Sequence, residues 1–313
     1  DTFETWENVE VIHNDEHISI GGNKFSGISR LKMLNILQSR CESLGVKIEY
    51  HREISDLSEL AASDLVLVCD GVNSTIRRNY SDYFDPQLSS RSNKYIWFGT
   101  HQLFDALRLT FRKNEAGIFA SHSYKFDKTT STFVVECDPV TWERAGFAAM
   151  SEDETREYLQ KVFEKDLGGN PLLSNRSVWI NFLLVKNGHW VHDNIVLLGD
   201  ACHTAHFSIG SGTKLALEDA IALFNEFKNS GGQTIGEVLK KYESNRKPKV
   251  EEYQQFAYDS LVLFENLNDV YDLPPLEMAY RMMTRSKKLT HEKLRQRDPG
   301  FIRQVEDFRA PKN

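Results

Sequence analysis

The feature that most constrains this chain is a run in its last third that ends an apolar strand on an acidic turn. Ile195–Leu198 is a short apolar run suited to a strand buried on both faces, and it stops at Gly199 and Asp200. The Asp200 carboxylate therefore lies at a strand's carboxyl end, where open α/β sheets bind their ligands. An α/β fold with a ligand site at this position is predicted.

A glycine-punctuated loop and a helix follow the acidic turn. Gly210, Ser211 and Gly212 precede a mostly small or apolar stretch, Thr213–Phe224, which predicts a buried helix. The first N–H groups of a helix lack intrahelical acceptors, and the helix dipole is positive at that end. The pattern thus predicts a cofactor site that favours negative charge.

Two upstream segments have related patterns. A β-branched strand, Leu65–Cys69, leads to Asp70 and Gly71, with Ser74 and Arg77 shortly after. Further upstream, Phe25–Leu37 carries Arg30 at the start of a predicted helix. Asp70 is a second acidic residue at the tip of a predicted strand.

In this order, the three segments resemble the motifs of single-component FAD monooxygenases, the aromatic-hydroxylase group. The Asp200 segment, with Glu218-Asp219-Ala220, resembles that family's ribityl-binding motif, and the resemblance implies a flavin-contacting loop after it. It also implies that Arg30 neutralises the pyrophosphate and that Asp70 and Arg77 close the dinucleotide channel. The cofactor residues implied are Arg30, Asp70, Gly71, Arg77, Gly199, Asp200, Gly210, Ser211, Gly212 and Thr213.

Within that group, the chain resembles the hydroxylases of aryl-CoA thioesters, such as salicylyl-CoA 5-hydroxylases and anthraniloyl-CoA (2-aminobenzoyl-CoA) monooxygenases. The similar segments are Thr204–Leu215, Phe264–Leu267 and Thr284–Pro299, and Phe207 stands where many members of the wider group have proline. The resemblance implies an NAD(P)H-consuming enzyme that hydroxylates 2-amino- or 2-hydroxybenzoyl-CoA at the 5-position through a flavin hydroperoxide. FAD, NADH or NADPH, molecular oxygen and a fused or partner reductase domain are the implied cofactors and partners.

One expected element is missing from the sequence. The family begins with a strand, a Gly-x-Gly-x-x-Gly turn and a helix that hold the FAD pyrophosphate, and no such triplet occurs here. Gly21, Gly22 and Gly27 are too loosely spaced. We expect that an N-terminal βα unit is absent from this chain; the alternative is a protein with degraded flavin binding.

The predicted fold class is α/β, with a doubly wound FAD-binding domain of the aromatic-hydroxylase type that is discontinuous in sequence. It is expected over residues 1–88 and 187–260, with strands near residues 17–20, 46–50 and 65–69 and a helix over residues 29–44. Aromatic and β-branched runs predict an inserted, mainly antiparallel substrate sheet over residues 89–186. Within it, Ser151–Glu154 has the form of a capping box and predicts the start of a helix that ends near Leu167. A helical segment over residues 261–313 completes the chain.

Composition fits a cytoplasmic enzyme. A chain of 313 residues with 40% hydrophobic content can bury a sizeable core, and a net charge of -7 argues against a nucleic-acid partner. No apolar run approaches the roughly 20 residues of a membrane-spanning helix. The four cysteines have no metal-ligand spacing, so no metal site is predicted and reduced thiols are expected.

Substrate contacts are less constrained by sequence. His122 and Tyr124 lie on predicted sheet strands and Phe207 lies in the flavin loop, so these three are candidates to orient substrate. No residue is assigned as a catalytic base. Structural roles remain open: Asp70 and Asp200 could cap turns, Arg30 could be a solvated helix residue, and His203 could be a core histidine bonded to a backbone carbonyl. A structural role is equally open for Arg77.

A basic segment within this acidic chain bears on the substrate. Phosphate groups of CoA would be attracted to such a segment, although an ordinary solvated helix face is equally consistent with it. Its charged residues are Arg281, Arg285, Lys287, Lys288, Lys293, Arg295 and Arg297. An indolic or other small aromatic substrate, or a flavin-binding remnant without turnover, are the alternative functions.

Overall fold

The computed structural model describes residues 3–311. The strands are β1 Glu4–Trp6, β2 Val9–His13, β3 Glu16–Ile20, β4 Phe25–Gly27, β5 Val66–Val68, β6 Pro86–Thr100, β7 Leu107–Lys113, β8 Ile118–Lys125, β9 Ser131–Cys137, β10 Leu172–Leu173, β11 Ile180–Asn187, β12 Val191–His192 and β13 Ile195–Leu197. The helices are α1 Arg30–Ser43, α2 Thr75–Asn79, α3 Ser81–Phe84, α4 Pro139–Arg144, α5 Glu152–Val162, α6 Gly212–Lys228, α7 Ile235–Glu265, α8 Pro275–Thr284, α9 His291–Arg297 and α10 Pro299–Arg309.

The chain forms two compact units. The first, which we name the sheet unit, comprises Asp1–Ile48, Ser92–Asn181 and Val262–Asn313. The second, the motif unit, comprises Glu49–Arg91 and Phe182–Leu261. The motif unit contains the Asp70 and Asp200 segments, whereas Arg30, His122 and Tyr124 belong to the sheet unit.

This division differs from the predicted domains at the N-terminus. Residues 1–88 were expected to belong to the FAD-binding domain, but β2 pairs with β3 and runs parallel to β7 of the large sheet. The backbone hydrogen bonds of β2 therefore hold the first strands in the sheet unit. The C-terminal helices also belong there, because Met278, Met282 and Phe301 share a buried core with Leu109 and Phe111 of β7.

The sheet unit is built on one mixed sheet. Its strand order is β10-β6-β9-β8-β7-β2-β3, and the central β6-β9-β8-β7 pairs are antiparallel, as predicted for this segment. Alternate residues of β8 face different cores. Phe119 shares a buried cluster with Leu159 of α5 and with Phe163, whereas Ala120 shares one with residues of the C-terminal helices. Helix α5 begins with the predicted capping box, in which Ser151 and Glu154 satisfy each other's backbone N–H groups.

The motif unit contains a three-stranded sheet, β12-β13-β5. Strands β13 and β5 are parallel, with Ile195 opposite Val66 and Leu197 opposite Val68. Val196, Leu197 and Leu198 are buried, as the apolar run predicted. Because the two strands run in the same direction, their carboxyl ends lie at the same edge of the sheet.

The strand expected over residues 46–50 was a wrong prediction. No strand forms there, and Val46 and Tyr50 are exposed. A strand needs a hydrogen-bonded neighbour, and within residues 3–311 β5 pairs only with β13. The predicted helix from Ser29 to Leu44 does form as α1, although none of its side chains is buried.

Within the described part of the chain, no helix combines the length and the apolar character needed to cross a bilayer. The same residues contain no group of three or more His, Cys, Asp and Glu side chains arranged to hold a metal ion.

Candidate functional site

The candidate site lies at the carboxyl edge of the parallel pair β5 and β13. Asp70 follows β5 after one residue, and Asp200 lies in a short 3-10 turn, Gly199–Ala201, that follows β13. Both aspartates are exposed. Each aspartate thus lies at the end of a strand, as predicted, and the parallel pairing of β5 with β13 brings both carboxylates to one edge of one sheet.

Asp70 organises the loop that it begins. Its Oδ2 accepts hydrogen bonds from the backbone N–H groups of Thr75, at 2.9 Å, and Ile76, at 3.3 Å. Those groups form the first turn of α2, where unpaired donors and the helix dipole favour a carboxylate. Gly71 has φ +84°, a left-handed conformation that glycine adopts without strain, and this lets the chain reverse after the strand.

Arg77 joins the two acidic segments. It is 3% exposed, and its Nη2 donates to the Val72 carbonyl at 2.6 Å while its Nη1 donates to the Ala201 carbonyl at 2.8 Å. Burial lowers the pKa of Arg77, and the charge of Asp70 partly opposes that effect. The structure therefore shows Arg77 as a strut between the Asp70 loop and the Asp200 turn; a direct contact with the cofactor stays a prediction.

The Asp200 turn has its own buried support. Gly199 has φ +57°, and its N–H donates to Asp219 Oδ2 at 3.1 Å. His203 Nε2 lies 2.7 Å from the same oxygen, and Arg246 Nε donates to Asp219 Oδ1 at 2.8 Å. Burial would raise the pKa of Asp219, but these hydrogen bonds outweigh it and hold the pKa below its ordinary value.

The loop between the acidic turn and α6 is pinned to α7. Gln254 donates to the Thr204 carbonyl at 2.9 Å, and Ser208 Oγ lies 2.8 Å from Ser260 Oγ. Ser208 Oγ also lies 2.9 Å from His206 Nδ1. Phe207 is half-buried in this loop, with its ring against those of His206 and Phe182.

Helix α6 presents an open N-terminus. Gly210 has φ +61°, and a Cβ at Gly210 or Gly212 would meet no heavy atom within 4 Å. Ser211 is the N-cap residue but makes no capping bond; it is 5% exposed and its Oγ has no hydrogen-bond partner. An orphaned hydroxyl and open backbone at a helix N-terminus suit a ligand with polar, electron-rich edges.

The remaining candidates lie in the sheet unit. Arg30 is exposed as the first residue of α1. His122 is buried, with Nε2 3.3 Å from the Glu136 carboxylate and its ring against Phe264. Tyr124 stacks on Trp6 with ring centroids 5.5 Å apart, and burial raises its pKa.

Sequence reasoning missed Arg246 and left Asp219 without a role of its own. Asp219 lies within an otherwise apolar helix face, and a buried carboxylate must be paired, so its position was a usable signal. The partner lies 27 residues further along the chain, and no local pattern identifies it.

A parallel strand pair with acidic tips beside an open helix N-terminus defines an α/β protein of the nucleotide-cofactor-binding class. The comparison with known families specifies it further: residues 42–257 match the FAD binding domain family, and the chain belongs to that family. FAD is therefore the cofactor, as predicted, and NAD(P)H is the usual reductant of this class. Asp70, Asp200 and the orphaned Ser211 hydroxyl are compatible with such a cofactor, since its ribityl chain and ring edge offer matching donors and acceptors.

Three relatives are similar over most of the chain. Salicyloyl-CoA 5-hydroxylase of Streptomyces sp is 38% identical over 97% of this chain and 60% of its own length. Protodeoxyviolaceinate monooxygenase of Chromobacterium violaceum is 35% identical over 89% of this chain and 75% of its own length. The 3-hydroxy-4-methyl-anthranilyl-[aryl-carrier protein] 5-monooxygenase of Streptosporangium sibiricum is 33% identical over 85% of this chain and 70% of its own length.

The chain thus spans about 60% of the length of the first of these relatives. Each of the three relatives is named as a monooxygenase or hydroxylase, which agrees with the predicted class, the flavin-dependent monooxygenases. A solved structure, 2-methyl-3-hydroxypyridine-5-carboxylic acid oxygenase, has a TM-score of 0.66 at 13% identity, over 95% of this chain and 79% of that one. That similarity supports the predicted aromatic-hydroxylase fold.

Proposed function

We propose that this protein is an FAD-dependent, NAD(P)H-consuming monooxygenase that hydroxylates an electron-rich aromatic acyl thioester. The observation that carries the proposal is the shared edge of β5 and β13, where Asp70 and Asp200 lie at parallel strand ends. Family membership supplies the cofactor, and the relatives' names supply the reaction class.

The chain's own residues would position the cofactor. Asp200 would accept hydrogen bonds from ribityl hydroxyls, and the N–H groups of Gly212 and Thr213 would face the pyrimidine edge of the ring. Arg30 would neutralise pyrophosphate charge, and Asp70 and Gly71 would border the dinucleotide channel. When bound, FAD supplies the redox and oxygen chemistry, so the protein's task is placement and electrostatic support.

For the substrate we propose a 2-amino- or 2-hydroxybenzoyl-CoA, hydroxylated at the 5-position. Two relatives support a thioester, since one name specifies salicyloyl-CoA and the other an anthranilyl group on a carrier protein. An amino or hydroxy donor on the ring directs an electrophile to the para carbon, which is the 5-position of such a ring. His122, Tyr124 and Phe207 stay candidates to orient it.

The basic C-terminal segment supports a CoA substrate only in part. Arg285 donates to the Met282 carbonyl and lies over the Phe264 ring, and burial lowers its pKa to about 10. Arg295 is paired with Glu306. These two charges are thus engaged within the protein, whereas Arg281 is exposed on α8.

The test uses the full-length protein reconstituted with FAD. We expect 2-aminobenzoyl-CoA or 2-hydroxybenzoyl-CoA to stimulate NAD(P)H oxidation and to yield a 5-hydroxylated thioester by mass spectrometry, whereas the free acids do not. Equal turnover of acid and thioester would contradict the thioester proposal. NAD(P)H oxidation that is stimulated by these thioesters but yields no hydroxylated product would contradict monooxygenase activity on these rings.

A second candidate substrate is a small aromatic that carries no thioester. The similarity to protodeoxyviolaceinate monooxygenase over 282 residues favours it. Protodeoxyviolaceinate in the same assay distinguishes the two candidates, because only one substrate class should be hydroxylated efficiently. The cytoplasmic location and a fused or partner reductase domain stay predictions.

A further inference from the structure

We propose that the buried residues Asp219, His203 and Arg246 form a positioning network, which fixes the relative positions of two cofactor-contacting elements. These elements are the Gly199–Asp200 turn and the first turn of α6. The inference rests on the proposed function for its cofactor, and it assigns a role to three residues that would not themselves touch FAD.

The Asp219 carboxylate is the centre of the network. It has no exposed surface, and it accepts from three donors that belong to different elements: Gly199 N, His203 Nε2 and Arg246 Nε. An ionised carboxylate can only accept, so Nε2 of His203 carries the proton in this arrangement. The bond to Gly199 reaches the residue immediately before Asp200.

Arg246 extends the network to the second element. Its Nη2 donates to the Leu215 carbonyl at 3.1 Å and lies 3.2 Å from Glu218 Oε2. Leu215 N in turn donates to the carbonyl of Ser211, the N-cap residue of α6. One guanidinium therefore contacts both the carboxylate behind the acidic turn and the first turn of the helix that follows.

Because the network is buried, the loss of any one member is costly. Asp219, His203 and Arg246 are all buried, and removing one partner of a buried charged set leaves the others desolvated and unpaired. Gly199 is also confined, because a Cβ there would lie 3.3 Å from that of Ala216 on α6. The turn is thus held against the helix both by hydrogen bonds and by close packing.

The test compares FAD affinity in the full-length protein between wild type and three variants, Asp219→Asn, Arg246→Gln and His203→Gln. We expect Asp219→Asn and Arg246→Gln each to raise the Kd for FAD about tenfold or more, the worth of a charged hydrogen bond in an equilibrium constant. The double variant that combines Asp219→Asn with Arg246→Gln should have a Kd for FAD no higher than that of the weaker-binding single variant, because both changes break the same network.

A matched control keeps structural loss apart from positioning. Asp166 is buried in the sheet unit and accepts two hydrogen bonds from Arg112, at 2.8 and 2.7 Å. Asp166→Asn should lower the melting temperature comparably but leave the Kd for FAD within about twofold. If Asp219→Asn also leaves that Kd within the same range, the positioning role is overturned.

Amide hydrogen exchange provides a readout that needs no cofactor. In Asp219→Asn and Arg246→Gln, peptides covering residues 195–206 and 211–217 should exchange faster than in wild type, while those covering β8 should not change. If Asp219→Asn does not fold, Arg246→Gln supports the same comparison, since it removes the guanidinium that joins Asp219 to the Leu215 carbonyl. His203→Gln is the conservative variant: its side-chain amide can still donate to Asp219, so its exchange should stay closer to that of wild type. Unchanged exchange would overturn the inference even if FAD binds, and absent FAD binding in wild type would overturn only the proposed function.

Discussion

Arg77 links the Asp70 loop to the Asp200 turn, because it donates to a carbonyl in each. We expect Arg77→Met to lower the free energy of unfolding by about 2–4 kcal/mol, since bonds from a charged donor are lost and the carbonyls of buried Ala201 and half-buried Val72 lose that donor. Urea denaturation measures this loss. Arg78→Met, at the exposed neighbour, should change stability by less than about 0.5 kcal/mol, and equal losses would contradict the strut.

Substitution of Gly199 tests how tightly the backbone of the acidic turn is confined. Gly199→Ala places a Cβ 3.3 Å from that of Ala216 at φ +57°, whereas Gly231→Ala has the same φ with no heavy atom within 4 Å. A left-handed non-glycine residue costs about 1–2 kcal/mol, so both variants should lose that amount and Gly199→Ala should lose more. Thermal unfolding of the pair measures the difference. Equal losses would show that Ala216 does not confine the turn.

The N-terminus of helix α6 is proposed to face the flavin. Thr213→Asp adds a negative charge to its first turn, which should stabilise the helix by about 0.3–1 kcal/mol and at the same time weaken FAD binding. Thr213→Asn has the same shape without the charge and should affect FAD binding less. A melting temperature and a flavin titration on each variant supply the two readouts. Tighter FAD binding by Thr213→Asp would contradict the assigned role.

The elements themselves were largely predictable, because their periodicity is local. Aromatic and β-branched runs predicted β6 to β9, and Ser151 with Glu154 predicted the start of α5. The expected strand at residues 46–50 failed because pairing is a long-range property that composition does not encode. The two acidic strand ends were predictable for the same reason as the strands, since their position follows from where an apolar run stops.

The pairing partners within the site were not predictable. Arg246 reaches Asp219 from another helix, and Arg77 reaches Ala201 across 124 positions of the chain. Such contacts depend on how the elements pack, and a charged residue read alone is equally consistent with solvent exposure. Arg77 and His203, for which the sequence left structural roles open, are both buried and hydrogen-bonded within the motif unit.

Over the whole molecule, depressed carboxyl pKa values predict loss of stability in acid. Hydrogen bonds hold the pKa of Asp219 below its ordinary value despite burial, and Lys165 and Arg112 lower that of Asp15. A carboxylate whose folded pKa is depressed stabilises the fold above its unfolded pKa of about 4, and that contribution is lost as pH falls through the folded value. The melting temperature should therefore fall steeply below about pH 4.

Asp219→Asn separates the buried contribution from the surface ones. The difference in melting temperature between wild type and this variant should be largest near neutral pH and should shrink as pH falls below about 4, because wild type then loses the same charge. High salt screens the exposed Asp15 pairs but leaves the buried set largely unaffected. A difference that stays constant between neutral pH and acid would contradict an ionised Asp219.

The most direct test of the account is the affinity of the full-length protein for FAD when the acid at either end of β13 is neutralised. Asp200 follows the strand's carboxyl end, whereas Asp193 precedes its amino end and is 82% exposed. Flavin fluorescence titration should show a Kd raised about tenfold or more for Asp200→Asn, and within about twofold of wild type for Asp193→Asn. An unchanged Kd for Asp200→Asn, or equal effects of both substitutions, would contradict a flavin site at this edge.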